Sequence, residues 1–368
     1  MKRIWMASVV GSVMVLAGCS MASNDAASFG ESGSADGPRG GGAMNAGTAD
    51  PSPGGETGGA ALPEASSSGS SGSQQQAGVL TAGVWDDNLN FDFFAKYVEL
   101  SEPSLGGVPI FSKSEREGAK GKWAQRVGSS ELDVTFLIDT TGSMGDELAY
   151  LQTEIDDIAQ TIKSKFPQTT PRFGLVLYKD KGDTYLTRPF DFKGLEEFRA
   201  NLGAQTVGGG GDYPEGVAAG LDEVMNLSWR EGAVTRMTFW VADAPHHVGE
   251  EAQVKGSIET AVQKGVHIYP VAASGTDPRA EFTMRSAAQL TGGRYIFLTD
   301  DSGVGNPHAE PHIPCYHVTK FNGALVRMVE SEMTGTHVQP KAEEILRTVG
   351  NPQNGTCTTK NDGNVTIY

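Results

Sequence analysis

The sequence predicts an α/β protein: a doubly wound, mostly parallel six-stranded sheet with helices on both faces. Two observations lead there. Apolar, β-branched runs of strand length recur between residues 131 and 299, and stretches with apolar residues at three- and four-residue spacing separate them. Strands alternating with helices favour parallel pairing, because each crossover returns the chain to the starting end of the next strand. At 368 residues the chain has room for one sizeable domain with appendages, and its 48 glycines are unevenly placed. A formal charge of −16 argues against a nucleic-acid partner, which needs a basic face, and is compatible with cation binding.

Residues 1–18 read as a targeting segment rather than structure. Lys2 and Arg3 form a positive region and residues 4–16 an apolar core. Leu16-Ala17-Gly18-Cys19 resembles the lipobox of bacterial lipoproteins, which implies cleavage before Cys19 and a membrane anchor on its thiol. A single transmembrane span is the alternative, but the run is short for one. Ser20 follows rather than Asp, so by the usual sorting rule the resemblance implies an outer-membrane lipoprotein of a Gram-negative cell envelope, periplasmic or surface-exposed. Residues 19–79 contain Gly40-Gly41-Gly42, Ser66-Ser67-Ser68 and Gln74-Gln75-Gln76 and almost nothing that builds a core. They read as a disordered tether with an r.m.s. reach of about 40 Å. Residues 80–129, with Trp85, Phe91, Phe93, Phe94, Tyr97 and Val98, are too apolar for a linker. They are expected to pack on the main domain as a strand or short helix.

The main domain is expected over 130–335. Its first strand ends at Asp139, breaks into a small-residue turn, and enters a helix with Leu148, Leu151, Ile155, Ile158, Ile162 and Phe166 on one face. Residues 172–178 read as the second strand and 185–192 as an outer one, where Pro189 suits an edge. A short helix over 194–202 precedes a helix over 214–227 opened by Pro214. Residues 235–242 form a central strand, and 250–264 a helix closed by Gly265. A strand over 266–273 carries Pro270 against the usual rule. Asp277-Pro278 opens another helix by capping logic, 294–299 is the last strand of this set, and 321–333 is a helix. Residues 336–368 read as a polar C-terminal extension with a turn at Asn361-Asp362-Gly363-Asn364. With Cys19 assigned to lipid, Cys315 and Cys357 remain as an even pair, which in an exported protein suggests one disulfide.

Asp139, Thr141 and Ser143 fall in the turn between the first strand and its helix, where open α/β sheets bind ligands. One carboxylate and two hydroxyls at alternate positions aim oxygens at one point, a hard donor set. Asp139-Thr140-Thr141-Gly142-Ser143-Met144 after an apolar strand resembles the metal-ion-dependent adhesion site of von Willebrand factor A domains, whose pattern is Asp-x-Ser-x-Ser. Thr replaces the middle Ser but keeps its hydroxyl. The resemblance covers about residues 131–335 and implies Mg²⁺ (or Mn²⁺ or Ca²⁺) as cofactor. It also implies a protein partner that reaches the ion through an acidic residue. In that family a Thr from a second loop meets the metal. In the loop over 206–215 the best match is Asp212, with Thr206 second, and Asp212 as an N-cap is the alternative. A third family loop matches Asp243 after the central strand. The metal set is therefore Asp139, Thr141, Ser143, Asp212 and Asp243.

The expected function is a lipid-anchored, non-enzymatic module binding a divalent cation and a protein at the cell envelope. Two alternatives stay open. One is a zinc-dependent hydrolase using the loop with His308, Glu310, His312, Cys315 and His317, or His246; His247 sits beside it. No Gly-x-Ser-x-Gly or His-Glu-x-x-His motif supports it. The other is a surface protein in which the ion only stabilises the fold.

Overall fold

The computed structural model describes residues 79–101, 105–123, 129–211, 213–303, 305–361 and 363–367. Cys19, the targeting segment and nearly all of the tether lie outside them, as does Asp212. The elements of the main sheet are β1 (Thr81–Trp85), β2 (Glu131–Asp139), β3 (Thr170–Tyr178), β4 (Thr187–Lys193), β5 (Val234–Ala242), β6 (Val266–Ala272), β7 (Tyr295–Thr299), β8 (Tyr316–Lys320) and β9 (Arg347–Val349). They form one nine-stranded sheet in the order β4-β3-β2-β5-β6-β7-β1-β8-β9. The helices are α1 (Phe91–Ser101), α2 (Lys113–Trp123), α3 (Gly145–Lys165), α4 (Leu195–Gly203), α5 (Val217–Asn226), α6 (Glu251–Lys264), α7 (Pro278–Thr291) and α8 (Phe321–Thr334). None of the described helices is long and apolar enough to cross a membrane.

β2 pairs in parallel with β3 on one side and β5 on the other, so the winding reverses at β2. The crevice above β2 is thus the place where a doubly wound sheet takes a ligand. Alternation along β2 sends Val134, Phe136 and Ile138 into a core shared with α3, α4 and α8, while Leu137 joins a second core under α5, α6 and α7. Both faces being covered explains why β2 reads as a continuous apolar run.

The central parallel strands match the expected architecture, and the sheet is wider than six strands. β1 from the 80–129 segment inserts between β7 and β8, antiparallel to both, and β8 and β9 extend that side. Pro189 pairs with Val176 on edge strand β4. Pro270 also has an explanation. Ile268 donates its N–H to Thr291 Oγ1 at 2.9 Å, so Pro270, two residues on, turns its nitrogen to the same side. There β7 pairs only with Val271 and Ala272, and no ladder bond is lost. One helix start moves: α5 begins at Val217 with Gly216 as its cap, not at Pro214. Glu215 instead bridges His246 and donates its N–H to Pro245 O at 2.8 Å, which holds it out of the helix.

A buried ion pair fastens the 80–129 segment. Arg285 on α7 forks onto Asp87, with Nη2 to Oδ1 at 2.7 Å and Nε to Oδ2 at 3.0 Å. Its other amino group reaches Glu281 and the His312 carbonyl, and its plane lies over the Tyr97 ring at 4.7 Å. Later in the chain, β10 (Thr356–Thr359) and β11 (Gly363–Thr366) form a hairpin whose Cys357 is bonded to Cys315, with Cα atoms 6.4 Å apart.

Candidate metal centre

Asp139 ends β2 and is fully buried. Thr141 donates to its Oδ1 twice, from N at 2.9 Å and from Oγ1 at 2.7 Å, while Oδ2 has no partner. Thr140 fixes the turn by giving its N–H and its hydroxyl to the Tyr178 carbonyl at 3.0 and 2.9 Å. Ser143 follows in a 3₁₀ turn (Gly142–Met144), and its hydroxyl reaches Asp243 from the neighbouring strand. Asp243 is buried, and its Oδ1 is again without a partner. Asp139, Thr141, Ser143 and Asp243 therefore share one rim of the sheet. Thr206, the second choice in the Gly-rich loop, is exposed, and Asp212 lies outside the described residues.

The Gly-rich loop folds down onto this turn: Gly142 donates to Gly209 O at 3.2 Å and Gly208 to Thr140 O at 3.1 Å. Gly208, Gly209 and Gly210 have φ of 150°, 86° and 77°, a run that side chains oppose. A Cβ on Gly210 would stand 3.0 Å from Thr141 Cβ and 2.9 Å from Glu215 Oε1. That contact reveals Glu215, which the sequence reading missed: it is buried beside Thr141, with Oε2 unpartnered. The Pro-Glu dipeptide suggested an ordinary first helical turn, and only the bridge to His246 shows otherwise. Lys179, also missed, sends its Nζ to Thr140 O and Gly208 O and ties the two loops together.

The electrostatics follow from crowding carboxylates where water is scarce. Burial pushes Asp139 up to about 7, against the Thr141 hydrogen bonds, with the Asp243 charge adding to the rise. Burial lifts Glu215 to about 9, reinforced by Asp139 and the acids around it. Asp243 is raised by burial as well, although Ser143 opposes the shift. Lys179 is lowered by its own burial. Buried anions with orphaned oxygens are costly unless a cation joins them. Among the described residues no three His, Cys, Asp or Glu side chains approach closely enough to hold an ion alone. An ion at this rim would draw on mixed carboxylate and hydroxyl oxygens, a hard set that suits Mg²⁺, Mn²⁺ or Ca²⁺. The residues present fit such a group.

The His-rich loop does not converge on a metal. His308 sits between Asp300 (Nδ1 to Oδ1, 2.8 Å) and Ser274 (Nε2 to Oγ, 3.2 Å). His312 pairs with Glu281 at 2.7 Å, His317 with Thr348 at 2.7 Å, and Cys315 is consumed by the disulfide. Each of these imidazoles thus has a partner of its own, and among the described residues no three His, Cys, Asp or Glu side chains gather here to hold a metal. His247 pairs with Asp180, and His246 is buried and held below its ordinary range by burial.

The fold and rim define a doubly wound domain with an oxygen-lined site at its switch point. Residues 133–300 match the family model of the von Willebrand factor A domain, and this part of the chain is such a domain. The alpha-protein kinase vwkA of Dictyostelium discoideum is 32% identical over 119 residues, which make up 32% of this chain and 19% of that protein. The chain thus spans about a fifth of the length of that curated relative. Among solved structures, the pilus adhesin SpaC of Lactobacillus rhamnosus GG superposes with a TM-score of 0.37 at 11% identity over 49% of this chain and 29% of its own. The conserved hypothetical protein BatB of Bacteroides thetaiotaomicron gives 0.35 at 11% identity over 55% of this chain and 98% of its own.

Proposed function

We propose that the protein is a divalent-cation-dependent protein-binding module held at a bacterial cell envelope by lipid on Cys19. The observation that carries the binding part is the set of unpartnered, buried oxygens of Asp139, Asp243 and Glu215 gathered around the Thr141–Ser143 turn. Mg²⁺, or Mn²⁺ or Ca²⁺, neutralises them and leaves a coordination position toward solvent that a carboxylate of a partner protein fills. Asp139 and the hydroxyls of Thr141 and Ser143 hold the ion, with Asp243, Glu215 and Asp212 completing its surroundings. The envelope part rests on Lys2, Arg3, the apolar run after them and the Leu16-Ala17-Gly18-Cys19 element. The protein itself performs no catalysis in this reading.

Two measurements test it. Isothermal calorimetry with Mg²⁺ should show saturable binding that Asp139→Asn and Asp243→Asn abolish; unchanged binding in both removes the site. Labelling of expressing cells with a palmitate analogue should mark the protein but not its Cys19→Ser variant.

A further inference from the structure

The buried guanidiniums of this domain are compensated unequally. Arg285 has the carboxylates of Asp87 and Glu281 within hydrogen-bond reach. Arg327 on α8, with its side chain only 9% exposed, has no carboxylate so close among the described residues. Its Nη2 donates to the neutral Thr319 hydroxyl at 2.8 Å, and its Nη1 stands 3.5 Å from Glu344, which is 40% exposed. Its Nε is buried without a partner. Burial accordingly lowers Arg327, with Glu344 opposing the shift. A buried cation left in this state is costly unless a negative charge joins it.

Arg327 lines a cavity of about 30 Å³ together with Asp86, Arg294, Thr319, His337 and Gln339. Arg294, just ahead of β7, is held by Asp86 at 2.9 Å, and Asp86 also accepts the N–H groups of Asn88 and Leu89 at 2.8 and 3.1 Å. The lining thus carries two guanidiniums against one carboxylate that is already engaged by three donors. His337 and Gln339 come from the segment that leaves α8, and His337 Nδ1 and Gln339 Oε1 are both buried without partners. Burial and the two guanidiniums push His337 down to about 4, so its imidazole is neutral and stands in a positive field. Water satisfies hydrogen bonds in such a cavity but leaves its charge uncompensated. We propose that the cavity binds one monatomic anion of chloride size. Arg327 Nε, the Nδ1–H tautomer of neutral His337, and the Gln339 amide turned to present its nitrogen are its donors. The volume amounts to about two water positions, which leaves no room for a phosphoester or a peptide. The anion would sit where the end of β1, the entry to β7, α8 and the segment after α8 meet, and would fasten residues 337–340 to the sheet. These elements are separate from the metal centre, and the proposal does not depend on it.

The test melts the full chain in sodium chloride and in sodium gluconate at equal ionic strength, and exposes its crystals to bromide for anomalous diffraction. The expected map has a bromide peak bridging Arg327 and His337. The expected Tm climbs by about 3 °C for each tenfold rise in chloride beyond half-saturation, and gluconate, too large for the cavity, gives no such rise. Arg327→Met, confirmed folded by circular dichroism, should lose the chloride response. No bromide in the cavity, the same Tm in both salts, or an undiminished response in Arg327→Met overturns the proposal. Should Arg327→Met fail to fold, the bromide map and the two melts of the parent decide.

Discussion

Replacing Asp139 by asparagine is expected to stabilise the metal-free protein. Burial raises this carboxyl from 3.8 to about 7. Its folded value lies above its unfolded one, so its contribution to stability is complete below pH 4 and is lost as pH rises through about 7. By pH 8 the loss approaches about 4 kcal/mol at roughly 1.4 kcal/mol per pH unit. Asparagine keeps an acceptor for both Thr141 donors but sets an amide where Oδ2 has no partner. That orphaned donor costs about 1–3 kcal/mol. The net gain at pH 8 in EDTA is therefore about 1–3 kcal/mol, or roughly 2–4 °C in Tm for each kcal/mol. Urea denaturation at pH 8 and at pH 4 is the assay. The gain should vanish at the lower pH, and the variant should lose the parent's rise in Tm on adding Mg²⁺. A variant less stable than the parent at pH 8 in EDTA, or one that responds equally to Mg²⁺, refutes the reasoning.

Other outcomes follow from geometry already described. Asp87→Ala strips the partner from a fully buried Arg285 and should cost about 3–5 kcal/mol in urea melts; a loss under 1 kcal/mol would mean the pair is not buried as found. Opening the Cys315–Cys357 bridge frees a loop of sequence separation 42 and should cost about 4 kcal/mol, measured by melting with and without reductant. Gly210→Ala places a Cβ against Thr141 and Glu215 at positive φ. It should weaken Mg²⁺ uptake in calorimetry while leaving the global melt close to that of the parent. The Glu281 hydrogen bond holds His312 above its ordinary value, so the tie it makes is present below about 6.5 and lost as pH rises through the raised value. Amide exchange over residues 306–314, corrected for intrinsic rates, should accelerate across that range.

Much of this was legible in residue order. A strand buried on both faces advertises itself by an unbroken apolar run, and β2, β5 and β6 did so. The helix after β2 showed its buried face through Leu148, Leu151, Ile155 and Ile158, so the turn holding Asp139, Thr141 and Ser143 could be placed to the residue. Asp243 followed from its position after a central strand. What stayed hidden depends on partners far along the chain. Glu215 follows a proline, where a helix start is the natural expectation, and its position is set by Pro245 and His246. Lys179 carries no local signal, since its two carbonyl acceptors belong to other loops. β1 is short and its neighbours lie more than two hundred residues away, so no local pattern reveals that it is an interior strand.

The insertion of β1 has a mechanical consequence. Thr81, where the chain enters the sheet, pairs with Thr299 at the carboxyl end of β7, so the polypeptide arrives at the same end of the domain as Asp139 and Asp243. A pull on the chain just ahead of Thr81 and a partner held at Asp139 and Asp243 would then load the same end of the domain, sparing most of the helical layers from stretch. The opposite end would carry no load.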